Sequence, residues 1–300
     1  MKSLTHETPD KIALEDILSE CQNISERLSQ DGSIDEHTKE RLLRYLTELT
    51  EFELGRFFIK NQGALSGYWT YYIILGFTES PRLHPLEEAI ITSAPSVLAT
   101  RQRFHIFQSL LQKNIQSNFV TCSVPCGLMS DLLMLDLPET VENVHFIGID
   151  LDQVSLDLAQ DLAKAEGKIQ SCQFFRENAW DLALNHRATF DVITTNGLNI
   201  YEADDSKVAD LYQAFCTALK PGGKLIGSAL SRPQEWDMSK INVDALSLQR
   251  AIFVQILQAT WSHFRSVDQT IQQLTGAGFE SVEIHWDDAH IFYSFEAMRM

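Results

Sequence analysis

The sequence predicts an α/β fold: a doubly wound, mostly parallel sheet with a C-terminal antiparallel hairpin strand, preceded by a helical N-terminal region. Three observations carry this. From Phe119 onward, short apolar runs alternate with helix-patterned stretches, the texture of strands joined by crossover helices. At the C-terminus two strand-like runs, 281–286 and 291–297, are separated only by Asp287-Asp-Ala-His290. So short a loop cannot make a parallel crossover, so those runs form an antiparallel hairpin. Up to about residue 116 the apolar residues repeat instead at helical spacing.

The front region opens with Ile12, Ile17 and Ile24 interleaved with Leu14, Leu18 and Leu28, a helical period that Asp31-Gly32-Ser33 interrupts. Leu42, Leu43, Leu46, Leu49 and Phe52 resume it, and a stretch dense in glycine and aromatics runs from Gly63 to Gly76. A helix opens near Ala94-Pro95 and continues through Phe104, Phe107 and Leu111. The first strand-like run, Phe119–Ser123, ends in a Pro/Gly turn, and Val144–Ile149 leads to Asp150 and a helix over 155–166. Gln173-Phe-Phe, then Phe190–Thr195, then Lys224–Leu230 follow, the last after a helix over 208–219 and the turn Lys220-Pro-Gly-Gly223. Ala251–Phe264 and Asp268–Thr275 are helix-patterned, and right-handed connections then favour the doubly wound arrangement.

Composition narrows the function. With 24 Lys+Arg against 41 Asp+Glu the formal charge is −17, which argues against nucleic acid or anionic lipid as the partner, since these select basic faces. Five scattered cysteines do not look like a disulfide framework, and Cys122 and Cys126 have no second ligand pair for a metal. The opening residues lack the apolar core of an export signal, and no stretch approaches the ~20 apolar residues of a membrane span. A cytoplasmic protein without metal, membrane or nucleic-acid partner is therefore expected; oligomeric state stays open.

In open α/β sheets ligands bind beyond the carboxyl ends of the strands, so the turns there hold the chemistry. Ser123 offers a hydroxyl at the end of the first strand and Gly127 permits close backbone approach. Asp150 ends the second strand 23 residues after Gly127 and suits a bidentate grip on ribose hydroxyls; Asp152 could instead cap the next helix. Asn178-Ala179-Trp180 and Thr195-Asn196-Gly197 follow the third and fourth strands.

Over about residues 105–300 these stretches resemble the class I S-adenosylmethionine-dependent methyltransferases. Phe119–Gly127 looks like that family's first motif, His145–Asp150 its second, Phe174–Ala179 the stretch beside the adenine, and Phe190–Asn196 the fourth-strand motif. Leu219-Lys-Pro-Gly-Gly-Lys-Leu225 resembles the turn before strand five, and Gly276-Ala-Gly-Phe279 with the final hairpin matches its reversed seventh strand. The resemblance implies a Rossmann-like, seven-stranded sheet and S-adenosylmethionine as cofactor. It places Ser123, Pro125 and Gly127 in the first cofactor turn, Asp150 and Leu151 at the ribose, Asn178 and Ala179 at the adenine, and Asn196 and Gly197 after the fourth strand. It divides the chain into a helical lid or substrate region, 1–104, and a cofactor domain, 105–300. The sequence departs from the family pattern where Ser123 stands for the usual acid and where Pro125 and Met129 replace glycines, so the first turn carries no charge of its own.

The expected activity is methyl transfer to a small-molecule acceptor by in-line displacement, in which positioning carries much of the rate. Asn196 or Asn199 could orient an acceptor, Trp69, Tyr72 and Tyr201 could line its pocket, and Arg103 could hold the cofactor carboxylate through its fork. No residue stands out as a committed general base; His105 and His145 read as helix and buried-strand residues. Two alternatives remain: a non-catalytic binding protein of the same fold, and a nicotinamide oxidoreductase, which the missing G-x-G-x-x-G disfavours.

Overall fold

The structure, a computed structural model, describes residues 12–79, 82–259 and 263–300. The reading of the opening residues as no export signal falls largely on 1–11, outside the described residues. The chain forms two compact units, one containing 12–98 with 238–259 and the other 99–237 with 263–300.

The first unit is helical. Glu36–Leu49 is capped by Asp35, whose side chain accepts from the Thr38 amide, and it buries Leu42, Leu46 and Leu49 along one face. Glu53–Lys60 buries Phe57 and Phe58, and Gly67–Ile74, capped by Ser66, buries Trp69 and Ile73. The late segment Val243–Gln249 continues into a π-helical stretch, Arg250–Ile256, that places Ala251, Ile252, Phe253 and Ile256 in the same core. Arg27 donates to the Gln255 carbonyl at 2.9 Å and to that of Ile256. Two differences from expectation follow. The helix expected across 251–264 ends at Ile256, where the Leu257 amide bonds the Ile252 carbonyl five residues back, and residues 263 and 264 are not helical. The boundary expected at 104/105 falls at 98/99 instead, within the continuous helix Pro95–Asn114, so no linker composition marks it.

The second unit holds a seven-stranded sheet in the order β3-β2-β1-β4-β5-β7-β6. Its strands are β1 (Val120–Ser123), β2 (His145–Asp150), β3 (Cys172–Arg176), β4 (Phe190–Thr195), β5 (Leu219–Leu230), β6 (Phe279–Trp286) and β7 (Phe292–Arg299). β3 through β5 pair in parallel, while β7 runs antiparallel between β5 and β6. The expected hairpin is present, and its reversed strand lies one place in from the edge. β2 buries Phe146, Ile147 and Ile149 as an inner parallel strand should; His145, expected inside it, is exposed at its first position.

The Lys220-Pro-Gly-Gly223 turn lies within β5 as an irregularity, the register jumping from Phe190↔Leu219 to Val192↔Lys224. Gly222 takes φ +76, and a Cβ on Gly223 would meet the Lys220 carbonyl oxygen at 2.9 Å and that of Asp191 at 3.0 Å. Asp191 ties the motif to its neighbours, its Oδ2 accepting from the Val120 amide at 2.8 Å and from Lys220 Nζ at 2.7 Å. Beside β5 and β7, the helix Pro95–Asn114 is anchored by Asn114, which accepts from Lys224 Nζ at 2.6 Å and donates to Glu296.

Candidate functional site

The carboxyl ends of β1, β2 and β4 converge, and backbone bonds fix the turn between them. The Val124 amide donates to the Thr194 carbonyl and the Cys126 amide to that of Ile149, both at 2.9 Å. Gly127 takes φ +49, outside the range most residues adopt. Its amide donates to Asp150 Oδ2 at 2.9 Å, and the Asp152 amide donates to Oδ1 of the same carboxylate at 3.0 Å. Each oxygen thus holds one backbone donor and keeps a lone pair for a further one. Burial, the largest influence, pushes the Asp150 carboxyl above its usual range against those bonds. Asp152 caps the helix Gln153–Ala165 by accepting from the Val154 and Ser155 amides, which leaves Asp150 as the carboxylate for a ligand.

An acid that the sequence reading passed over completes the first turn. Asp131 opens the short helix Ser130–Leu133 and accepts from Ser123 Oγ at 3.1 Å and Thr194 Oγ1 at 2.6 Å. Burial raises its carboxyl, with the Thr194 and Ser123 hydroxyls pulling the other way. The charge missing at Ser123 is supplied from eight residues further on. A single acid set before Leu132 and Leu133 was the signal available, but nothing local ties it to β4.

The remaining predicted residues separate. Asn178 caps the turn Ala179–Asp181 by accepting from the Trp180 amide at 3.3 Å, and Ala179 is buried beneath it. Leu151 is 37% exposed, and its carbonyl accepts from Arg176 Nε. Pro125, in a cis peptide bond with Val124, is half-buried beside Gly127. Asn196 accepts from Ser228 Oγ at 2.8 Å, and Gly197 takes φ +93 with open space where a Cβ would stand. Tyr201 ends the short helix Leu198–Tyr201 and is half-buried.

Three further residues are held as follows. Asn199 is 5% exposed and donates to Tyr212 Oη at 3.1 Å and the Ser228 carbonyl at 2.8 Å, bracing the β4 turn against β5, while its Oδ1 is buried without a partner among the described residues. Trp69 is a core residue of the helical unit, its ring centroid 5.8 Å from Phe57 and 5.2 Å from Tyr72, while Tyr72 donates to Glu87 at 3.1 Å. Arg103 lies beside β7, its guanidinium 4.2 Å over the Phe292 ring. A second arginine unseen in the sequence, Arg265, is 3% exposed and holds the β4 turn by donating to the Asn199 and Glu202 carbonyls and to Asp205 Oδ1.

These residues fit S-adenosylmethionine. Asp150 presents a carboxylate for two vicinal hydroxyls, Asp131 an anion without a cationic partner among the described residues at the β1–β4 junction, and at Gly197 a Cβ would meet open space. By contrast, the helix after β1 is only Ser130–Leu133, a poor seat for a pyrophosphate.

Comparisons with known proteins agree. Residues 127–223 match the family model described as a methyltransferase domain. A Bordetella parapertussis protein of known structure, described only as a possible exported protein, is 36% identical over 96% of this chain and 97% of its own, with TM-score 0.90. Two further structures share the fold: a Nostoc punctiforme protein provisionally named an O-methyltransferase, and the [4+2]-cyclase SpnF. The first has 13% identity over 92% of this chain and 88% of its own, TM-score 0.51. The second has 14% identity over 79% and 97%, TM-score 0.50. No curated protein matches the sequence. Strand order, the Gly127–Asp150 pair and the family model matched over residues 127–223 together show that this chain carries a methyltransferase domain.

Proposed function

We propose that the protein transfers a methyl group to a small-molecule acceptor by in-line displacement. The observation that carries this is the Asp150 carboxylate held by the Gly127 amide at 2.9 Å, across the ends of β2 and β1. S-adenosylmethionine supplies a methyl group activated by a sulfonium. The protein's own residues bind and orient: Asp150 grips the ribose, Asn178 and Ala179 flank the adenine, Asp131 with Ser123 answers the ammonium, and Asn196 and Gly197 border the reacting end. Holding both partners in line supplies most of the rate such a reaction needs. A small acceptor suits the −17 charge, which disfavours nucleic acid and anionic membranes. Among the described residues no helix is long and apolar enough to cross a membrane. All five cysteines are unpaired, which suits the cytoplasm, although the Bordetella relative's description points to export.

Calorimetric titration with S-adenosylmethionine and S-adenosylhomocysteine tests the reading. The native protein is expected to bind both, and Asp150→Ala to weaken binding at least ~10-fold, as loss of charge-assisted hydrogen bonds requires. No binding by the native protein at ~1 mM ligand, a free energy of only about −4 kcal/mol, overturns it. The non-catalytic alternative draws on Asn196, whose side-chain oxygen accepts from Ser228 Oγ; retained ligand without turnover on any acceptor panel favours it.

A further inference from the structure

Arg103 is 7% exposed, yet its guanidinium makes no hydrogen bond to any described residue, and its Nε is buried without a partner. It is stacked 4.2 Å over Phe292, an arrangement that attracts the cation to the ring face and leaves its donor edge free in plane. The nearby carboxylate does not satisfy it. Asp287 Oδ1 accepts from the Ala289 and Ile291 amides at 2.9 and 3.3 Å, and Oδ2 from the Phe292 amide at 2.5 Å. Asp287 therefore offsets the charge from a distance while leaving the fork unmatched. Burial lowers the Arg103 pKa to about 10, with Asp287 and Tyr201 opposing, so the group is a cation at neutral pH. A buried cation whose donors go unpaired is costly to a fold.

Its position says what it faces. Phe292 pairs with Leu230 at the carboxyl end of β5, and Tyr201, at the end of the β4 turn, is among the groups acting on it. In the sheet order β7 is four strands from β2, where Asp150 lies, a separation of roughly 19 Å at ordinary strand spacing. Arg103 therefore stands toward the β5–β7 side of the sheet, apart from the strand end that carries Asp150.

We propose that Arg103 recognises an anionic group, a carboxylate or a phosphoryl, on the methyl acceptor. The word acceptor rests on the methyl-transfer reading; the anion site itself does not. A planar fork pairs bidentately with either oxyanion.

The test is calorimetric titration of acetate and of inorganic phosphate into the native protein, Arg103→Met and Arg103→Lys, at constant ionic strength, each with and without saturating S-adenosylhomocysteine. The expected result is millimolar binding of at least one anion to the native protein, weakened at least 10-fold in Arg103→Met and partly restored in Arg103→Lys. Affinity for S-adenosylhomocysteine should change less than 3-fold. Preference between the two anions separates a carboxylate from a phosphorylated acceptor. A 10-fold or greater loss of S-adenosylhomocysteine binding in Arg103→Met overturns the proposal and returns the residue to the cofactor carboxylate. Native protein that binds neither anion, or binds them equally after substitution, overturns it too. Should Arg103→Met fail to fold, the Arg103→Lys comparison decides, because loss of the planar fork alone should weaken anion binding about 3-fold. Anion binding that depends on Arg103 in a protein that ignores S-adenosylhomocysteine would defeat the methyl-transfer reading and leave this one standing.

Discussion

Asp131 holds a carboxylate where burial raises its pKa and where its side-chain partners are two hydroxyls. A folded-state pKa above the unfolded value means the charge works against folding at neutral pH, and stability improves as pH falls through the folded value. Removing the charge should therefore stabilise the ligand-free protein. Asp131→Asn is expected to raise the ligand-free Tm, by about 2 °C for each kcal/mol gained in a chain of this size, and to weaken S-adenosylmethionine at least ~10-fold. A thermal scan beside a titration checks both; a lower Tm would mean the carboxylate holds the fold rather than a ligand. Glu296 has the opposite sign. Burial pushes its carboxyl up, but Lys224 at 2.7 Å and Asn114 together outweigh it, so its stabilisation is present above the unfolded value and lost in acid. Gly127, Asp150 and Asp152 were legible in the sequence because they sit in order on adjoining strand ends. Asp131 was not, because its role depends on Thr194, 63 residues away, arriving beside it.

At the scale of elements, β5 and β7 depend on a glycine. A Cβ on Gly227 would stand 2.3 Å from Phe295 Cζ across the strand pair, and Phe295 is fully buried. Gly227→Ala should destabilise the protein by about 1–3 kcal/mol, the usual result of overpacking. It should read as a lower urea midpoint at unchanged slope; a loss below ~0.5 kcal/mol would show that the ring swings away freely. The alternation of strands and helices was readable because parallel strands buried on both faces are continuous apolar runs. The length of β5 was not, since Pro221 and two glycines read as a turn while the chain in fact resumes the strand at Leu219 before them.

At the scale of the molecule, the helical unit is completed by a segment more than 100 residues downstream. Ile252, Phe253, Ile256 and Leu257 are buried with Leu42, Phe57 and Phe58. Each such side chain contributes about 1.5–3 kcal/mol on burial, so the four together rival the ~5–15 kcal/mol of a whole domain. A fragment ending at Leu98 is therefore expected to remain unfolded, with a circular dichroism signal far below its helical content here. A cooperative melt of that fragment would show that the late segment is dispensable. The −17 charge, by contrast, shapes solubility and choice of partner rather than fold.

The sequence by itself determined the fold class, the C-terminal hairpin and the places of the strand-end turns. All of these follow from local periodicity and from turn chemistry within a few residues. Tertiary structure alone decided that Asp131 stands beside Ser123 and Thr194, that Asn199 braces the β4 turn and Trp69 packs in the helical core, and that Arg103 stands at β7 without a hydrogen-bond partner among the described residues. Those roles arise between residues far apart in the chain, and hydrogen bonds and burial depend on distance in space, which no spacing along the sequence encodes.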